Sequence, residues 1–183
     1  MKVIKKKLSE EDNDADFDGQ EKYLRKIAYW VGYFIFEFND LDDTVTRALA
    51  EHIDGHLEKN EYAYIFLSGL TFNQKVELLE RYCNFHLKRY GNDGKHLEMK
   101  TEAEEIIGQL KAIGKIRNTI VHANYYTLDK NGNIKEKTRF AVPEIEQYWV
   151  SITRDLLVDK INFMIDFTPK IGEFSEMFLE RLY

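Results

Sequence analysis

Cysteine and proline are scarce in this chain of 183 residues, which has one Cys, two Pro and ten Gly. A single thiol, Cys83, cannot form an intramolecular disulfide, and that usage fits a reducing compartment. Cys83 reads as a core residue rather than a nucleophile. So few helix breakers exclude a loop-rich chain and argue against an all-β one. No apolar run approaches the length of about 18 residues that a membrane span needs. The basic start at Lys5-Lys6-Lys7 is not followed by an apolar stretch, so no signal peptide is expected and the expected location is the cytoplasm. A basic excess is also missing. The net charge is −6, whereas domains that bind nucleic acid non-specifically carry positive charge. Any contact with RNA must therefore come from a local basic patch or a narrow cleft. There is no Gly-rich phosphate loop and no Cys/His metal quartet. His52 and His56 are four apart, as in helical zinc pairs, but they straddle Gly55. They lack the Glu that a metalloprotease helix places after its first His, and no third ligand is in view. Neither a metal nor a cofactor is expected.

What is present is a globular composition, 44% hydrophobic and 14% aromatic, with enough length for one domain with a real core. Residues 1–20 hold a basic triplet and an acidic stretch with little to pack, and read as a disordered leader. In residues 21–54, Ile27, Val31, Phe34, Phe38, Leu41, Val45 and Ala48 step by 4, 3, 4, 3, 4 and 3, the seam of a long helix. Tyr29, Trp30, Tyr33 and Phe36 lie off that seam, so the helix is either central to a bundle or covered on a second side by a partner. Residues 61–69 are apolar and too short to classify. Thr71 or Asn73 caps a helix expected over residues 74–89, with Val76, Leu79, Cys83 and Leu87 inward. Lys88, Arg89, Lys95 and Lys100 make the loop that follows locally basic, a secondary candidate for RNA contact beside its plainer reading as a solvated surface.

Thr101 with Glu104 resembles a capping box for the next helix. Along it Ile106, Leu110, Ile113, Ile116 and Ile120 repeat at helical spacing, and Arg117 falls in their sector. Asn118 and His122 fall nearly opposite, in line with Lys111 and Lys115. An Arg on an apolar stripe is costly to bury without a partner; Glu37 or Asp40 of the first helix would serve as one. Asn131-Gly132 then predicts a β-hairpin over residues 125–142, one wall of whatever site His122 occupies. Residues 144–166 read as the last long helix, with Trp149, Ile152, Leu156, Ile161 and Met164 inward. Pro169 ends it, and residues 169–183 read as a short helix or tail.

Arg117-Asn118-Thr119-Ile120-Val121-His122, near the end of a helix in a helical chain of this length, resembles the Arg-x4-6-His signature of the HEPN superfamily. The likeness extends more loosely to Phe38-Asn39-Asp40-Leu41 and to residues 73–79. It implies an all-α fold, an up-and-down bundle of four main helices with the hairpin as an insertion, over residues 21–168. It also implies a homodimer whose paired motifs line a shared cleft, and metal-independent endoribonuclease chemistry.

In that chemistry His122 moves the proton as general base or acid, since imidazole exchanges a proton near neutral pH. Arg117 presents a charged fork to phosphate oxygens, and Asn118 orients one or the other. Glu37, Asp40, Lys115 and Tyr125 are supporting candidates. On an ideal helix Arg117 and His122 stand about 140° apart, so either the helix end deforms or a second protomer completes the site. Toxins of this superfamily that pair with a nucleotidyltransferase antitoxin carry His-x-Tyr. This chain has His122-Ala123-Asn124-Tyr125, one residue more, which leaves Tyr125 and Tyr126 as exposed-tyrosine candidates. RNA and a cognate antitoxin or inhibitor are the partners such a toxin or defence role implies. The alternative is a non-catalytic nucleotide- or protein-binding scaffold, in which Arg117 forms a buried salt bridge and His122 caps the helix.

Overall fold

The computed structural model describes residues 3–7, 17–54, 61–89, 94–128, 133–140 and 145–180. They form β1 (Val3–Lys7), α1 (Phe17–Asp54), α2 (Glu61–Ser68), α3 (Phe72–Arg89), α4 (Gly94–His122), β2 (Asn124–Leu128), β3 (Ile134–Phe140), β4 (Ile145–Val150) and α5 (Arg154–Glu180). The chain is predominantly helical, as its few breakers and its 3–4 spacings require. The expected single domain divides into two compact units. One joins Met1–Phe36 with Ile116–Asn162, and the other joins Glu37–Lys115 with Phe163–Tyr183.

The second unit is helical. Phe38, Leu41, Val45 and Ala48 on α1 are buried as their spacing predicts, and so are Val76, Leu79 and Cys83 on α3. The apolar run left unclassified is the short helix α2, of which Ala63 and Leu67 are buried. Thr71 caps α3 reciprocally: its backbone N–H donates to Gln74 Oε1 at 2.9 Å, and the Gln74 N–H donates to Thr71 Oγ1 at 3.4 Å. Thr101 is not a cap. Helix α4 begins seven residues earlier, at Gly94, and the Thr101 hydroxyl donates to the Leu97 carbonyl at 3.0 Å, the back-bond of a mid-helix threonine. Buried Met99 and Ala103 extend the apolar stripe of Ile106 and Leu110 toward the N-terminus, and that stripe carries the helix through the capping-box position. Pro169 does not end the last helix either, for α5 runs through it. Ile161, Met164, Phe167, Ile171, Phe174 and Phe178 are all buried at spacings of 3 and 4. Burying that unbroken face outweighs the one backbone donor that proline lacks.

The first unit carries a four-stranded antiparallel sheet in the order β1-β4-β3-β2, which goes well beyond a hairpin insertion. β2 pairs with β3 irregularly, Asn124 opposite Lys135 and Leu128 opposite Ile134. Asn131-Gly132 lies outside the described residues. Between β3 and β4, Lys135 faces Trp149 and Lys137 faces Tyr148, so Glu136 is an extra residue of a bulge. Two expectations are overturned here. Part of the leader, Val3–Lys7, is an edge strand paired with β4, and the stretch expected to open the last helix is the central strand β4. Ile145, Trp149 and Ile152 imitate a helical face, but Tyr148, Trp149 and Val150 are all buried in succession, the pattern of a strand covered on both faces. The helix starts only after Thr153, which caps it: the Leu156 N–H donates to Thr153 Oγ1 at 3.2 Å.

Candidate functional site

The motif occupies the last two turns of α4, within the first unit. Ile120 is fully buried and Thr119 nearly so, which sets the rotation of the helix. Arg117 and Asn118 are half-buried, and His122 is exposed in the final turn. An imidazole there lies among backbone carbonyls that lack intrahelical donors, where positive charge is favourable. The helix runs through His122, so of the two alternatives a deformed helix end is not the one observed. Arg117 and His122 accordingly leave the same helix in different directions. Asn118 is one neighbour of Arg117: its Oδ1 accepts from Arg117 Nη1 at 3.2 Å. In that bond Asn118 uses its carbonyl oxygen, and its amide N–H donors take no part in it.

The strand after the motif is tied back to it. Tyr125 on β2 donates its hydroxyl to the Ile120 carbonyl at 2.8 Å, one of the four carbonyls that the end of α4 leaves without a helical donor. Burial, and secondarily the nearby Tyr23 hydroxyl, raise the Tyr125 pKa well above the usual phenol value. Tyr23 is itself pushed up to about 12 by burial, and its hydroxyl donates to the Ile152 carbonyl at 2.7 Å. These two tyrosines are neutral donors that hold backbone. Tyr125 is thus half-buried and engaged rather than an exposed tyrosine, and the side chain of Tyr126 lies outside the described residues. Sequence reasoning placed Tyr125 near the motif but missed its link to Ile120. A tyrosine shortly after a helix end is too common a feature to signal it.

The other candidates lie in the second unit. Glu37 is half-buried, while Asp40 and Lys115 are exposed. Lys111, on the helix face of Lys115, is held by Glu80 at 2.7 Å. Of the secondary basic group, Lys100 lies 3.8 Å from Glu104. Both lysines line an open cleft of about 190 Å³ along α3 and α4, with Asn84 and Leu87 at its sides. Two carboxylates, Glu80 and Glu104, face the same cleft and offset its cations, which disfavours an anionic polymer there. His52 is buried and lies 3.2 Å from Ser175 Oγ; His56 is outside the described residues. Among the described residues no group of three or more His, Cys, Asp or Glu side chains is placed to hold a metal ion, and no helix is long and apolar enough to cross a membrane. No family model, curated protein or solved structure matches the chain.

Proposed function

We propose that this protein is a dimeric, metal-independent endoribonuclease of HEPN type, its four main helices forming an up-and-down bundle, acting in a toxin or defence setting with a cognate inhibitor. The observation that carries the reading is the exposed His122 at the end of α4, one turn beyond an Arg117–Asn118 pair. His122 takes the proton from a ribose 2′-OH as that oxygen attacks phosphorus. Arg117 neutralises charge on the pentacoordinate phosphorane. The P–O5′ bond then breaks, the 5′ oxygen takes a proton from an imidazolium, and a 2′,3′-cyclic phosphate remains. A regular helix cannot aim Arg117 and His122 at one phosphate, so the Arg117 of one protomer serves the His122 of the other across a two-fold cleft.

A second reading has an observation of its own. Arg117 is half-buried and spends one donor on Asn118, and the chain is acidic, with a net charge of −6. Both fit a scaffold or nucleotide-binding module whose Arg117 is structural. Incubation of the purified protein with cellular RNA in EDTA, beside His122→Ala and Arg117→Ala, separates the two. Cleavage lost in both variants with folding intact supports the nuclease. Equal treatment of RNA by all three forms, with Arg117→Ala melting earlier, supports the scaffold.

A further inference from the structure

Helix α1 carries two seams. The buried one is centred on Phe34, Phe38, Leu41 and Val45. Roughly 120° around the helix runs a second line, Lys22, Lys26, Tyr29, Tyr33, Phe36 and Asp40, again at spacings of 4, 3, 4, 3 and 4. Tyr29 is 67% exposed and Phe36 68%. Lys22, Lys26 and Asp40 are exposed, and Tyr33 is partly so. The Tyr29 and Tyr33 rings already touch, their centroids 6.3 Å apart. Gly32 flanks the line, and a Cβ there would have no atom within 4 Å. Two well-exposed aromatic rings one heptad apart, with a third between them, are the pattern of a helix face that another helix covers.

The order of residues along this line says which helix. It begins basic, turns aromatic and ends acidic. Run against itself in the opposite direction, it is self-complementary: Lys22 meets Asp40, Lys26 meets the Phe36 ring, and Tyr29 meets Tyr33. Each pair recurs by symmetry, as a two-fold interface demands, and each is an attractive one: an ion pair, a cation over an aromatic face and an aromatic pair. A parallel pairing would set Lys22 against Lys22 and Asp40 against Asp40. We infer that this face of α1 is covered by the same face of a second copy of this chain, antiparallel and in that register. The inference rests on the dimer in the proposed function and on no part of the cleavage chemistry.

The test is the mass of the full-length chain by light scattering or sedimentation across a range of concentrations. The wild type is expected to dimerise and to melt at a temperature that rises with its concentration, and Tyr29→Glu and Phe36→Glu, at two exposed sites, to be folded monomers whose cooperative melting is independent of concentration. Asp40→Lys weakens the dimer about tenfold, and Lys22→Asp combined with Asp40→Lys restores it. A monomeric wild type, or a dimer indifferent to both glutamate variants, overturns the surface. Failure of the charge swap to restore association overturns the register. RNA cleavage measured on the same samples keeps the two questions apart, since a dimer that cleaves nothing leaves this interface standing and removes the nuclease.

Discussion

Two histidines stand at equivalent places in this molecule. His52 is in the last turn of α1 and His122 in the last turn of α4. Each lies where free backbone carbonyls favour a cation, yet their surroundings differ. His52 is 4% exposed, with Ser175 Oγ at 3.2 Å, and packs against the rings of Tyr82 and Phe178 at centroid distances of 4.8 and 5.7 Å. His122 is exposed, directly before the chain turns into β2. Helix position alone therefore does not assign a role. The packing around the ring separates a histidine that completes a core from one free to meet a ligand.

The sharpest way to break this comparison is to delete each ring. His122→Ala is expected to lower RNA cleavage by about 10²–10⁴-fold, the usual worth of a general acid–base group, with stability changed by no more than about 0.5 kcal/mol, as for exposed positions. His52→Ala should do the reverse, costing about 2 kcal/mol or more of folding free energy through a lost buried contact set, with cleavage per folded molecule retained. Urea titration and initial cleavage rates on the same preparations read both. Equal destabilisation by the two substitutions would show that the apparent difference in burial has no energetic consequence.

How far the sequence reveals this difference follows from what each element asks of its neighbours. The buried seams of α1 and α3 are legible because helical spacing is a local property: the residues that pack are three and four apart. So is the cap at Thr71, since Gln74 lies one turn away. The sheet is not legible in this way. β4 is central because Val3–Lys7 arrives from the other end of the chain to pair with it. Nothing within Ile145, Trp149 and Ile152 distinguishes a covered strand from a helix of the same spacing. Pro169 misleads for a related reason, for its local cost is real but is outweighed by a face buried on both sides of it. At the candidate site the types and order of Arg117, Asn118 and His122 can be read off directly. The half-burial of Arg117 and the tie from Tyr125 to Ile120 cannot: burial is set by tertiary packing, and the tie depends on a strand that folds back.

A smaller effect extends the comparison to the two units by titration. The Cys83 thiol, in the helical unit, is pushed from 9.0 up to about 12 by burial. The Tyr23 phenol, in the sheet unit, is pushed from 10.0 up to about 12, also by burial. Both groups are neutral when protonated, and in both the fold disfavours the anion. Their stabilisation is therefore complete below the unfolded-state values and is lost as pH rises from there through the folded-state ones. Urea midpoints should begin to fall near pH 9 and fall further between pH 10 and 12. Cys83→Ala should remove the earlier onset and leave the later one. A wild-type midpoint flat up to pH 12 would mean that neither group is sequestered.

The smallest expected effect bears on how the motif is held. Tyr125→Phe keeps the ring and deletes only the hydroxyl that donates to the Ile120 carbonyl. A neutral hydrogen bond of this kind contributes about 1 kcal/mol. Folding free energy should fall by about that much, with the loss felt at the end of α4, where His122 sits two residues beyond the released carbonyl. Under the proposed function, cleavage should drop by at most a few-fold, because Arg117, Asn118 and His122 remain and only the rigidity of their support changes. Its pH profile should stay in place, since a phenol whose pKa lies well above the ordinary value gives up no proton at working pH. A loss comparable to that of His122→Ala, or a displaced profile, would mean instead that the hydroxyl takes part in the reaction, and that β2 supplies chemistry as well as support.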